Sequence, residues 1–202
     1  MKKLSTYLFL IFFTLQTLSW ADDITDFQIE GMSVGDSLLD YFSEEEIISN
    51  IVLNYEEGVF YKTELSTNNS KEYDLVGLYL KEKDKLYEIQ GISGAKFISK
   101  GFKECLTKKK KIEKEISLLF KNLEKIDYGT SSPAFDKKTK YNQVVFTFKN
   151  DDVVFITCYD WSKKIEKENN WHDNLAVDMQ SSELADFIRE FTASKTKKFN
   201  TN

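Results

Sequence analysis

One histidine, one proline, one arginine and two cysteines in 202 residues set the first limits on this chain. Any Ser-His-Asp or Cys-His pair, and any histidine-based zinc site, would have to be built on His172. That residue lies in the polar run Asn169-Asn170-Trp171-His172-Asp173-Asn174, which reads as a loop before a strand and supplies no motif partner. G-x-S-x-G, G-x-G-x-x-G, Walker-type phosphate loops and H-E-x-x-H are all missing. The sequence therefore calls for no cofactor and no metal. Arg189 is the lone arginine, and lysine takes its place elsewhere, as AT-rich coding bias does. Cys105 and Cys158 are not spaced as C-x-x-C, which excludes a thioredoxin-type motif and a zinc knuckle. In an oxidising compartment an even pair of cysteines is expected to form a structural disulfide.

The N-terminus supplies that compartment. Lys2 and Lys3 form a basic n-region, Tyr7 to Leu18 is nearly continuous apolar sequence, and Ser19-Trp20-Ala21 has small residues at −3 and −1. This is the secretory signal pattern, with cleavage expected after Ala21. The apolar run is short of the roughly 20 residues of a membrane span. No cysteine follows the cut for lipidation, so the mature chain is expected to be periplasmic or secreted, without stable membrane insertion. Removing residues 1–21 takes two lysines and no acids, which moves the formal net charge from −5 to −7. Such acidity argues against nucleic acid as a partner.

Residues 22–195 read as a single α+β domain, and 196–202 as a disordered tail. Ser33 with Asp36, and Ser43 with Glu46, resemble two capping boxes, each leading into an apolar stripe and hence a helix pair. Val59–Leu65, Tyr73–Leu80 and Leu86–Ile92 read as three strands, with Gly91 and Gly94 marking a bulge or strand end. Helical spacing returns over Phe102–Ile126, where Lys109 interrupts the apolar face. Tyr141–Lys149 and Asp152–Trp161 suggest a hairpin turning on Asn150-Asp151. Leu175, Val177 and Met179 alternate as a further strand, and Ser181 or Ser182 caps a last helix. The expected order is αα-βββ-α-βββ-α, an antiparallel sheet or sheets with helices on one face. Two helix-plus-meander halves, about 22–96 and 97–195, are a topological suggestion without a residue-level repeat.

Two groups of side chains invite a functional reading. Tyr159, Asp160 and Trp161 end a strand, and Trp171 and His172 follow in the next loop. Exposed aromatics beside a few polar groups suit a ligand or partner site, although strands also use aromatics for ordinary packing. Lys108 to Lys111 form a basic block on the long helix, which could hold phosphate or an acidic partner. Four consecutive lysines cover every helix face, however, and Glu113 and Glu115 follow at once, so a solvated segment is the plainer reading.

The run Ile29-Glu30-Gly31-Met32-Ser33-Val34-Gly35-Asp36-Ser37-Leu38-Leu39 resembles the opening of small envelope proteins of the BamE/SmpA type and of the related β-lactamase-inhibitory protein fold. There an I-x-x-G-M-(S/T) element leads into a helix pair packed on an antiparallel sheet. The wider sequence, including Leu38 to Ile47 and Cys158-Tyr159-Asp160-Trp161, resembles uncharacterised exported proteins of bacteria with small AT-rich genomes. The first resemblance implies binding of an envelope protein rather than catalysis. Composition and motifs leave two classes standing: a non-enzymatic module that binds an envelope protein or small ligand, and a periplasmic hydrolase working with carboxylates or tyrosines without metal.

Overall fold

The computed structural model describes residues 23–55, 58–65, 72–120 and 123–200, the last six by backbone only. The expected signal segment lies outside the described residues. Eight strands form one antiparallel sheet: β1 (Ile51–Asn54), β2 (Phe60–Glu64), β3 (Leu75–Lys81), β4 (Ile89–Phe97), β5 (Glu124–Ser131), β6 (Lys140–Thr147), β7 (Val153–Asp160) and β8 (Asn174–Gln180). Their spatial order is β1-β2-β3-β4-β8-β7-β6-β5. Two four-stranded meanders therefore meet through their last strands, with Gly91 to Phe97 paired antiparallel against Gln180 to Asn174. The helices are α1 (Glu44–Ser49), α2 (Phe102–Leu119), α3 (Lys163–Asn169) and α4 (Ser182–Asn200). The chain is α+β, but the expected order αα-βββ-α-βββ-α is corrected: each half has four strands, and a short helix interrupts the second.

Local physics accounts for each departure. Ser33 does donate its backbone N–H to the Asp36 carboxylate at 2.8 Å. No α-helix follows, because Gly35 sits at φ +93° and the segment is sewn to the sheet through Gly35 N–H to Ile89 O and Ile89 N–H to Asp36 O. Only a 3-10 turn at Leu38–Asp40 remains. The second capping box forms in full, Ser43 and Glu46 each satisfying the other's backbone N–H. Its helix is short, ending at Ser49, and Ile51 and Val52, which continue its apolar spacing, open β1 instead. Leu123 and Ile126 likewise leave the long helix, which ends at Leu119; Ile126 belongs to β5. The Asn150-Asp151 turn is wider than two residues. Phe148 N–H bonds Asp152 O and Asp151 N–H bonds Phe148 O, so only Asp151 takes a positive φ, 66°. Gly91 and Gly94 lie within β4 rather than ending it, and the expected bulge is present at Gly91, where the pairing with β3 shifts from Gly91–Tyr79 to Ile89–Leu80. At Gly91 an added Cβ would stand 2.5 Å from Leu184, so glycine lets α4 approach the sheet. Helix α4 continues to Asn200, into the stretch read as a tail.

Helices occupy both faces of the sheet, not one. Alternation puts Leu78, Leu80, Ile92, Val144, Phe146, Val154, Ile156, Val177 and Met179 on the first face, where they join Ile47 of α1 and Cys105 and Ile116 of α2 in the main core. Phe60 and Tyr79 point the other way and pack with Leu184, Phe187 and Phe191 of α4. The sheet needs a helix on its second face because α4 carries an aromatic stripe that must leave water. Among the described residues, no helix is long and apolar enough to cross a membrane.

Cys105 and Cys158 are joined by a disulfide, with Cα atoms 5.8 Å apart and a sequence separation of 53. It ties α2 to β7 within the main core. Closing a loop of that length is worth about 4 kcal/mol in the chain-entropy account. The double variant Cys105→Ala/Cys158→Ala should therefore lose about 4 kcal/mol of unfolding free energy in urea titration. A loss under about 1 kcal/mol would show that the reduced ensemble is already constrained.

Candidate functional site

Strand register places the candidate side chains in rows across the second face. The end row runs Tyr141–Tyr159–Asn174–Phe97 over β6, β7, β8 and β4. Trp161 continues it from β7, stacked on Tyr159 with ring centroids 4.7 Å apart and planes within 3°. Trp171 packs on Trp161 at 4.6 Å, and His172 lies over Phe97 at 5.0 Å. These contacts join four elements into one aromatic rim at the end of the sheet. Trp171 is 44% exposed and Phe97 42%, whereas Tyr159 and Trp161 are half-buried. The Trp161 backbone N–H donates to Asp173 at 2.8 Å, which fixes where the strand turns outward. Its indole Nε1–H is buried and, among the described residues, the one buried side-chain donor without an acceptor.

The structure thus brings together Tyr159, Trp161, Trp171 and His172 and separates Asp160 from them. Asp160 shares alternation with Val154, Ile156 and Cys158, so it projects toward the first face, opposite Tyr159. A strand reverses its side chains at every residue, and adjacency in sequence could not keep both on one side.

A second feature gave no signal in the sequence. Two rows in from the rim, Asp178 of β8 stands between Ser93 of β4 and Phe155 of β7 on the same face. Burial raises its carboxyl above the ordinary 3.8, against the opposing effects of a Ser93 hydroxyl hydrogen bond and the Lys62 charge. Lys62 lies across Gly77, pairs with Glu64 at 2.7 Å and sits 5.8 Å from the Tyr79 ring centroid. The phenols of Tyr79 and Tyr159 are both pushed upward, by burial first and by Asp178 second. Gln143 donates to the Thr157 hydroxyl at 3.1 Å, and Thr157 in turn bonds the Tyr159 oxygen. A polar chain therefore runs from Tyr159 of the rim through Thr157 to Gln143 of β6. A single aspartate on a helix-free strand carries no motif; only register shows it as central.

Asp173 is also raised, by burial and then by Asp160 and Glu166, but its carboxylate is engaged by Trp161. It lies about 16 Å along the chain from Asp178 at strand spacing, too far for an acid–base pair of the glycosidase kind. Among the described residues, no group of three His, Cys, Asp or Glu side chains is placed to hold a metal ion. Comparison with protein-family models, curated proteins and solved structures finds no match.

A carboxyl raised in the folded state binds protons more readily there than in the unfolded chain. Stability from Asp178 is thus greatest at low pH and falls as pH rises from 3.8 through the folded value. Asp178→Asn should be more stable than the parent at neutral pH, and the margin should shrink as pH falls toward 3.8. Urea midpoints from about pH 8 to about pH 4 test this. A destabilised Asn variant at neutral pH would mean that the acid is a structural anchor instead.

Proposed function

We propose that this chain is an exported, non-enzymatic binding protein whose partner docks on the second face of the C-terminal meander. The carrying observation is the aromatic rim. Tyr141, Phe155 and Tyr159 belong to neither apolar cluster among the described residues, and the apolar side chains of α4 pack on Tyr55, Phe60 and Tyr79 of the N-terminal half. Four strands at about 4.8 Å spacing make the rim about 14 Å wide, an extended ledge that suits a polypeptide better than a small enclosed ligand. Trp171 offers exposed aromatic area, and Trp161 and Tyr159 stacked beneath it hold that ring in place. Asp178, at a site that destabilises its charged form, would give the face a polar anchor. The disulfide fits an oxidising compartment, and the Lys2-Lys3, apolar and Ser19-x-Ala21 pattern supports export to the periplasm or beyond.

Tagged mature protein should retain a discrete partner from periplasmic extract. Trp171→Ala and Trp161→Ala should each weaken that complex by about 1–3 kcal/mol, with the fold intact by circular dichroism. Unchanged retention in both variants, or unfolding of both, would remove the rim as the docking surface. Turnover in a broad hydrolase screen, lost on Asp178→Asn, would replace binding with catalysis.

A further inference from the structure

On the first face, away from the aromatic rim, α2 and strands β5 and β6 line an open pocket of about 560 Å³. We propose that it binds a phosphate group, free or as a monoester. Four ammonium groups line it: Lys109 and Lys110 from one turn of α2, Lys114 from the next, and Lys125 from β5. Lys109 is the interruption in the helix's apolar stripe, and it is only 3% exposed. Its one ionic partner among the described residues is Glu113, 3.8 Å away and beyond hydrogen-bonding distance. Glu113 is engaged more closely by Lys125. Lys110 and Lys114 have no ion pair among the described residues, in contrast to Lys108 with Glu104 and Lys111 with Glu115.

The acids of the pocket are Glu113 and Asp127, and Asp127 already accepts from the Gly129 N–H at 2.9 Å. Two carboxylates face four ammonium groups, which leaves a local excess of two positive charges on a chain of net negative charge. A buried cation without a hydrogen-bonded counter-charge is costly, and a dianion entering the pocket would relieve it. Lysine serves phosphate as a point charge, needing no fixed fork geometry. Asn142 adds an amide to the lining, its Nδ2 donating to Thr130 at 2.9 Å. Only Lys109 departs from a solvated lysine block, and it does so because its helix position faces the sheet.

Isothermal titration of the mature protein at constant ionic strength, with inorganic phosphate and with glycerol phosphate, tests the site. Saturable binding at one site per chain is expected, with tighter binding of glycerol phosphate marking a monoester ligand. Lys109→Met and Lys125→Met should each weaken binding at least about tenfold, and Lys111→Met, on the solvent side of the helix, should leave it unchanged. Should Lys109→Met fail to fold, exposed Lys114→Met carries the same expectation. Absence of saturable binding by either anion, or equal loss in Lys111→Met, overturns the proposal. Such a failure would leave docking at the aromatic rim untouched, since the two sites lie on opposite faces.

Discussion

The pairing of β4 with β8 is the junction on which the rest of the molecule depends. Each is the last strand of its meander, and each would otherwise be an open edge inviting another chain. Joined, they make one sheet whose first face is continuous from Leu78 through Ile92 and Met179 to Val154. That continuity lets α2, which follows the first meander, pack on β7 and β8 of the second and form the disulfide. On the other side, the same pairing sets Ser93 beside Asp178 and Phe97 beside Asn174, so both parts of the candidate surface span the junction. Closing the junction also explains the small residues of β4. Gly91 admits Leu184, while Ser93 and Ala95 keep the centre of the second face low.

The elements legible in the sequence are those whose apolar period is unbroken. Leu175, Val177 and Met179 announce β8, and Val144, Phe146, Val154 and Ile156 announce the β6–β7 hairpin, because every second side chain enters the core. The edge strands are obscure for the opposite reason. β5 is almost wholly exposed, so no alternation marks Glu124–Ser131, and β1 follows a helix so closely that Ile51 and Val52 extend its pattern. Helix α3 is a lysine- and glutamate-rich turn whose one buried residue is Ile165, too weak a stripe to separate from a loop. Its start is fixed by tertiary contact: Ser162 bonds Thr139 and Asp136 of a distant loop.

The aromatic half of the candidate surface could be read because large rings cluster in sequence at Tyr159, Trp161 and Trp171. Its acidic half could not. Asp178 is one of many carboxylates in an acidic chain, and its environment comes from Lys62, Tyr79, Ser93 and Phe155, which lie on other strands. The same holds for Lys109, whose burial depends on which face of α2 meets the sheet. Faces, and with them chemistry, are set by register between strands far apart in the chain.

Site-resolved photocrosslinking in intact cells tests the central claim most directly. A photoreactive amino acid would replace Trp171 on the rim or, as the control, Lys111 on the outer side of α2, with export driven by the full sequence. The rim position should capture one discrete partner, and the control position should capture none. Equal capture at both positions, or none at the rim, would contradict the assignment of that face as the binding surface.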